Sequence, residues 1–127
     1  MNLRTAVLTS VAGIALFSAG MLVGQNKFNK PKSIVHVVTI RWKADATADQ
    51  KKAALDAVDK MAGKVPGITN VWTKGIKVQG EGYSDAFAIE FRDKAAFDAY
   101  SDNPAHKEFE SVYLPVRDRS TTHDLTN

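Results

Sequence analysis

The stretch Ile34–Trp42 (IVHVVTIRW) constrains this chain more than any other, because as a strand it is largely apolar on both sides. It is rich in β-branched residues, which suit extended backbone. One parity carries Ile34, His36, Val38, Ile40 and Trp42, and the other carries Val35, Val37, Thr39 and Arg41. A strand of this kind is covered on both faces. Helical signals follow it. Thr47-Ala48-Asp49-Gln50 has the form of a capping box, and Ala54, Leu55, Val58, Met61 and Ala62 recur at helical spacing as one buried stripe. Gly63 is a natural stop, and Pro66-Gly67 a turn.

Ile68–Gly75 reads as a second strand, Gly80-Glu81-Gly82 as a loop, and Ala86–Phe91 as a third strand with Phe87, Ile89 and Phe91 on one face. Asp93 caps a helix that begins at Lys94. Asn103-Pro104 interrupts it, with Asn103 as the cap and Pro104 at the first position of a further helix. That helix carries Phe109, Val112 and Tyr113 and is expected to end between Pro115 and Arg119. Ser120–Leu125 reads as a polar last strand. The order β-α-β-β-α-β predicts an α+β, ferredoxin-like fold: a four-stranded antiparallel sheet with helices on one face. The helices shield one side of the first strand. Val35 and Val37 on the other side need a second cover, and a twin sheet supplies it, so a homodimer is expected.

Residues 1–32 stand apart from this pattern. Ala6–Gly24 carries no charge over 19 residues, near the minimum for a bilayer-spanning helix, and it also fits a signal peptide with a long apolar region. Both readings stay open, and Arg4 ahead of the run favours export. Gln25–Ser33 is polar, basic and interrupted by Pro31, as a linker would be. The domain, residues 33–127, is thus expected to be exported or anchored to the membrane by its N-terminus, with membrane contact only through residues 6–24 if they are retained. The net charge of +3 resides in this leader: residues 1–32 contribute four basic residues and no acid, whereas residues 33–127 hold 13 Lys and Arg against 14 Asp and Glu. No nucleic-acid partner is expected of such a domain. There is no cysteine, which excludes disulfides, thiolate metal sites and a cysteine nucleophile.

Three segments carry a resemblance. His36-Val37-Val38-x-Ile40-Arg41-Trp42-Lys43, Lys64-Val65-Pro66-Gly67-Ile68 and Tyr100-Ser101-Asp102-Asn103-Pro104-Ala105-His106-x-x-Phe109 are similar to the stress-responsive dimeric A/B barrel domain family. The resemblance runs from about Ile34 to Leu125, and the Y-x-x-x-P-A-H segment is its most specific part. It implies that two protomers pair their sheets into a dimeric α/β barrel. Most members have no established activity. One branch, of the olivetolic acid cyclase type, closes polyketide chains by an aldol reaction without a cofactor. Its tyrosine and histidine align with Tyr100 and His106, and the histidine of its first strand aligns with His36. The resemblance also places His36, Val38 and Ile40 of the first strand, Leu55 and Val58 of the first helix, and Phe87 and Ile89 of the third strand around a ligand. In that branch the last strand is apolar and ends Asp-Tyr. Here it reads Thr121-Thr122-His123-Asp124-Leu125, which keeps Asp124 and loses the tyrosine. Ala54, Leu55 and Val58 stand where the cyclase has aromatic residues, so the pocket has a different shape.

The residue types suit the roles that the resemblance implies. His106 falls at the third position of a helix, whose N-terminal partial charge disfavours an imidazolium and keeps the ring ready to accept a proton. Tyr100 precedes the Asn-Pro break, which lets the two side chains converge. A phenol in an apolar pocket donates to a developing oxyanion. His123 and Asp124 are adjacent on a strand and point oppositely, so no metal site is expected. No phosphate loop or nucleophile elbow is present, and no cofactor is expected. Trp42 and Trp72 read as core or interface residues. Two functions compete. The first is a homodimeric module that binds a small apolar or aromatic molecule without chemistry. The alternative is a cofactor-free cyclase- or lyase-like enzyme with His106 as base and Tyr100 as donor.

Overall fold

The computed structural model describes residues 28–127, and the apolar run Ala6–Gly24 with the signal-peptide and anchor readings lies outside them. Among the described residues no helix is long and apolar enough to cross a membrane. Residues 31–127 form one unit. Its elements are β1 (Ile34–Trp42), α1 (Ala48–Ala62), β2 (Ile68–Trp72), β3 (Asp85–Phe91), α2 (Lys94–Tyr100), α3 (Pro104–Tyr113) and β4 (Arg117–Leu125). The four strands form one sheet in the order β2-β3-β1-β4, with every neighbouring pair antiparallel. This is the expected ferredoxin-like arrangement, with the second helical region divided at Asn103-Pro104.

The local signals act as their chemistry requires. The Thr47 hydroxyl accepts from Gln50 N at 3.2 Å, and Gln50 Oε1 accepts from Thr47 N at 2.9 Å, so two backbone donors at the α1 start are satisfied. Asp93 accepts from Ala96 N, and Asn103 accepts from Ala105 N, both at 2.9 Å. The stripe of α1 buries Ala54, Ala57, Val58 and Met61, while Leu55 and Ala62 stay half-buried at its margins. Gly63 ends α1 in the right-handed region, at φ −69°, so the left-handed freedom of glycine goes unused there. It is used at Gly67, at φ 88°, where the chain turns into β2.

Several boundaries differ from expectation. β2 ends at Trp72 rather than Gly75, and Gly75 instead lies against Val78 and Ala86 in the loop that follows. α3 ends at Tyr113, and β4 begins at Arg117 rather than Ser120. Pairing with β1 recruits the extra residues: Lys43 N donates to Val116 O at 2.9 Å, and Trp42 stands opposite Arg117 across a register shift.

The core lies between the sheet and the helices. Val38, Ile40 and Trp42 of β1 and Phe87, Ile89 and Phe91 of β3 point into it. Trp42 is a core residue whose indole N–H donates to Asp85 at 2.6 Å, whereas Trp72 is 51% exposed. On the opposite face Val35, Val37, Thr39 and Arg41 are half-buried within the protomer.

Candidate functional site

β4 is an edge strand, and its helix-side residues Thr122 and Asp124 are exposed. A cavity of about 270 Å³ opens there, between β4, the middle of the sheet and α3. The sheet supplies His36, Val38, Phe87 and Ile89, and the helices supply Met61, Tyr100, His106, Phe109, Glu110 and Tyr113. Leu114, Arg117, Ser120 and Thr122 complete the wall.

The register of the sheet sets the polar centre. His36 stands opposite Asp124 on the neighbouring strand, and the two side chains meet at 2.6 Å between Nδ1 and Oδ1. A carboxylate only accepts, so Nδ1 of His36 carries a proton and donates it. Nε2 then faces the Tyr100 hydroxyl at 3.2 Å. Tyr100 comes from the end of α2, and the Asn103-Pro104 break turns the chain so that His106, on the first turn of α3, packs edge-on against it with ring centroids 4.9 Å apart. Four polar side chains from four elements therefore converge: Asp124, His36, Tyr100 and His106.

Their protonation follows from burial. The Tyr100 phenol is pushed up to about 12, first by desolvation and then by the negative charges of Asp124 and Glu110, so it is a proton donor at neutral pH. The His106 imidazole is held below its ordinary value, chiefly by desolvation. Lys107 and His36 push the same way, and Glu110 and the Ser101 carbonyl oppose them. Nδ1 of His106 is buried without a hydrogen-bond partner and lies 3.8 Å from Glu110 Oε2. The direction is the one expected of His106, but its first cause is burial rather than the helix terminus. Among the described residues no group of three His, Asp or Glu side chains is placed to hold a metal ion.

Of the residues expected around a ligand, His36, Val38, Phe87 and Ile89 line the cavity with Tyr100 and His106. Ile40, Leu55 and Val58 do not. Ile40 and Val58 are 0% exposed, packed where α1 closes onto the sheet, and Leu55 packs on the margin of that core. The cavity lies on the β4 side, which α1 reaches only through Met61. Sequence reasoning missed Glu110, Tyr113, Arg117 and Ser120. Glu110 and Tyr113 lie on α3, whereas Arg117 and Ser120 depend on where β4 begins, and a β4 start at Arg117 is visible only once its pairing with β1 is known.

The stress responsive A/B barrel domain, Dabb, matches residues 34–127 of this sequence. The chain belongs to that family. Solved structures share the Dabb fold. A Dabb family protein with a ferredoxin-like fold from Mesorhizobium loti is 25% identical, with a TM-score of 0.63, over 75% of this chain and 96% of that one. A dimeric ferredoxin-like protein of unknown function from Thermobifida fusca is 20% identical, with a TM-score of 0.66, over 80% and 97%. A hydroxynitrile lyase from Passiflora edulis is 18% identical, with a TM-score of 0.64, over 75% and 93%. No curated protein matches the sequence.

Proposed function

We propose that this Dabb protein is an exported or membrane-tethered homodimer. In our reading its cavity binds a small apolar or aromatic carbonyl compound and moves a proton to or from the carbon beside the carbonyl, without a cofactor. The observation that carries this reading is that His36, Tyr100 and His106 line one cavity in mutual contact, with Asp124 hydrogen-bonded to His36 from behind. A site for binding alone has no need of such a cluster, since apolar walls and one or two hydrogen bonds suffice to orient a small ligand.

His106, neutral through burial, takes the proton from the carbon. The C–H electron pair moves onto the carbonyl oxygen as an enolate, and Tyr100 donates its hydroxyl proton to that oxygen. His36 and Asp124 position the phenol. While His36 is neutral, Nε2 accepts from the Tyr100 hydroxyl. When the carbonyl oxygen is in place, the hydroxyl turns its proton from Nε2 to that oxygen. The dimeric Thermobifida protein supports the assembly, and the Passiflora hydroxynitrile lyase supports only the reading that this fold can house an enzyme. Export rests on the uncharged run Ala6–Gly24 behind Arg4, and fractionation of the full chain into membrane, exported and cytoplasmic pools tests it.

Solvent deuterium incorporation into the methyl group of acetophenone, followed by NMR, tests the chemistry. The full chain accelerates it over buffer, and His106→Gln and Tyr100→Phe each lower that acceleration by about 100-fold. Binding without acceleration, or acceleration that survives His106→Gln, overturns the proposed chemistry.

A further inference from the structure

At the other end of the cavity from His36 stands a second polar cluster. Along β4, Ser120 lies opposite Ile40 and Asp124 opposite His36, so the two ends are about 13 Å apart along the strand. Arg117 lines this end. Its Nη1 donates to Ser120 Oγ at 3.1 Å, its guanidinium lies 5.7 Å from the Tyr113 ring centroid, and its Nε is buried without a hydrogen-bond partner. Tyr113 is 6% exposed, and its hydroxyl is likewise buried without a well-formed partner. Leaving buried donors unpaired is costly, and a guanidinium especially so.

The other charges of the cavity are engaged. Asp124 is paired with His36 at 2.6 Å, and Glu110 lies 3.8 Å from His106 Nδ1 and 3.5 Å from Lys107 Nζ. Among the described residues no carboxylate lies within ion-pair distance of Arg117, and Asp118 next to it turns to Arg41 at 2.5 Å on the opposite face.

We infer that Arg117, Tyr113 and Ser120 form a carboxylate subsite, so that the ligand is a small aromatic or apolar acid whose carbonyl end reaches Tyr100 and His106. This rests on the reading of the cavity as a ligand site and adds the charge of what enters it. A planar carboxylate suits the guanidinium fork, and the Tyr113 hydroxyl, whose pKa burial raises, stays protonated to donate alongside it.

Binding of 4-acetylbenzoate and of its uncharged carboxamide to the full chain, measured by calorimetry, tests this without reference to turnover. The carboxylate binds about tenfold tighter or better. Arg117→Gln abolishes that preference, while Arg119→Gln, on the other face of β4, keeps it and leaves carboxamide binding within a factor of about two. Equal binding of the two probes by the wild-type chain overturns the proposal, even if Arg117→Gln fails to fold. So does a preference that survives Arg117→Gln, or failure of both probes to bind. Selective carboxylate binding with no deuterium exchange refutes the chemistry proposed above and leaves this subsite standing. Exchange on acetophenone with no carboxylate preference does the reverse.

Discussion

Burial and the charges of Asp124 and Glu110 bring the Tyr100 phenol up to about 12 in the folded chain, against 10.0 for a free tyrosine. Between those values the folded state holds the phenol proton and the unfolded state has lost it. Stability linked to this group is therefore fully present below pH 10 and declines as the pH rises toward 12. Urea unfolding from pH 10 upward is expected to show a decline that is shallower in Tyr100→Phe, with Tyr113, also raised by burial, left to supply part of the remainder. Identical slopes in the two proteins would mean that the phenol is not desolvated as its surroundings imply. Sequence reasoning reached a neutral His106 through the helix terminus. The cause that the structure puts first is burial, which depends on Phe109 and Tyr100 closing around the ring, a tertiary fact. The role of Asp124 was hidden for a similar reason: it is 88 residues from His36, and only the sheet register brings the two together.

Caps and turns were legible because they are local. Thr47, Asp93 and Asn103 each bond a backbone donor two or three residues on, so a four-residue pattern contains the whole interaction. The start of β4 was not legible. Arg117-Asp118-Arg119 has no apolar alternation, and it is β1 that draws it into the sheet through Lys43 and Trp42. Gly67 joins the two kinds of signal. Its φ of 88° is a local turn, and a Cβ there would stand 2.4 Å from the Ala96 Cβ of α2. Gly67 thus lets β2 start hard against the helix that ends in Tyr100. Gly67→Ala is expected to cost about 2–4 kcal/mol, combining left-handed strain with overpacking, and to lower the exchange activity by displacing α2. Urea denaturation measures the first effect, and a loss below about 0.5 kcal/mol would show that the contact relaxes without cost.

For the molecule as a whole, the decisive surface is the sheet face that no helix covers. Val35, Val37 and Thr39 run down its middle, paired with Glu90, Ala88 and Ala86 of β3, and Trp72 and Leu125 stand 51% and 58% exposed on its flanks. Thr39 and Thr121 satisfy each other's hydroxyls across β1 and β4, and Arg41 is paired with Asp118, so these polar groups at the middle of the face are already partnered. A surface of this kind is self-complementary under a two-fold axis, which is why the two-sided apolarity of Ile34–Trp42 pointed to a twin before any coordinates did. Val37→Lys places an ammonium at the centre of the proposed contact, where burying it unpaired costs several kcal/mol. Sedimentation equilibrium at micromolar concentration is expected to give a dimer for the wild-type chain and for Val37→Ile, and a monomer for Val37→Lys. A monomeric wild type would overturn the assembly. Val37 points away from His36, and the cavity residues described above all come from one protomer, so the Val37→Lys monomer is expected to retain deuterium exchange on acetophenone. Loss of exchange with loss of the dimer would instead mean that the partner chain closes the mouth beside β4, making the dimer part of the site rather than only the cover of its sheet.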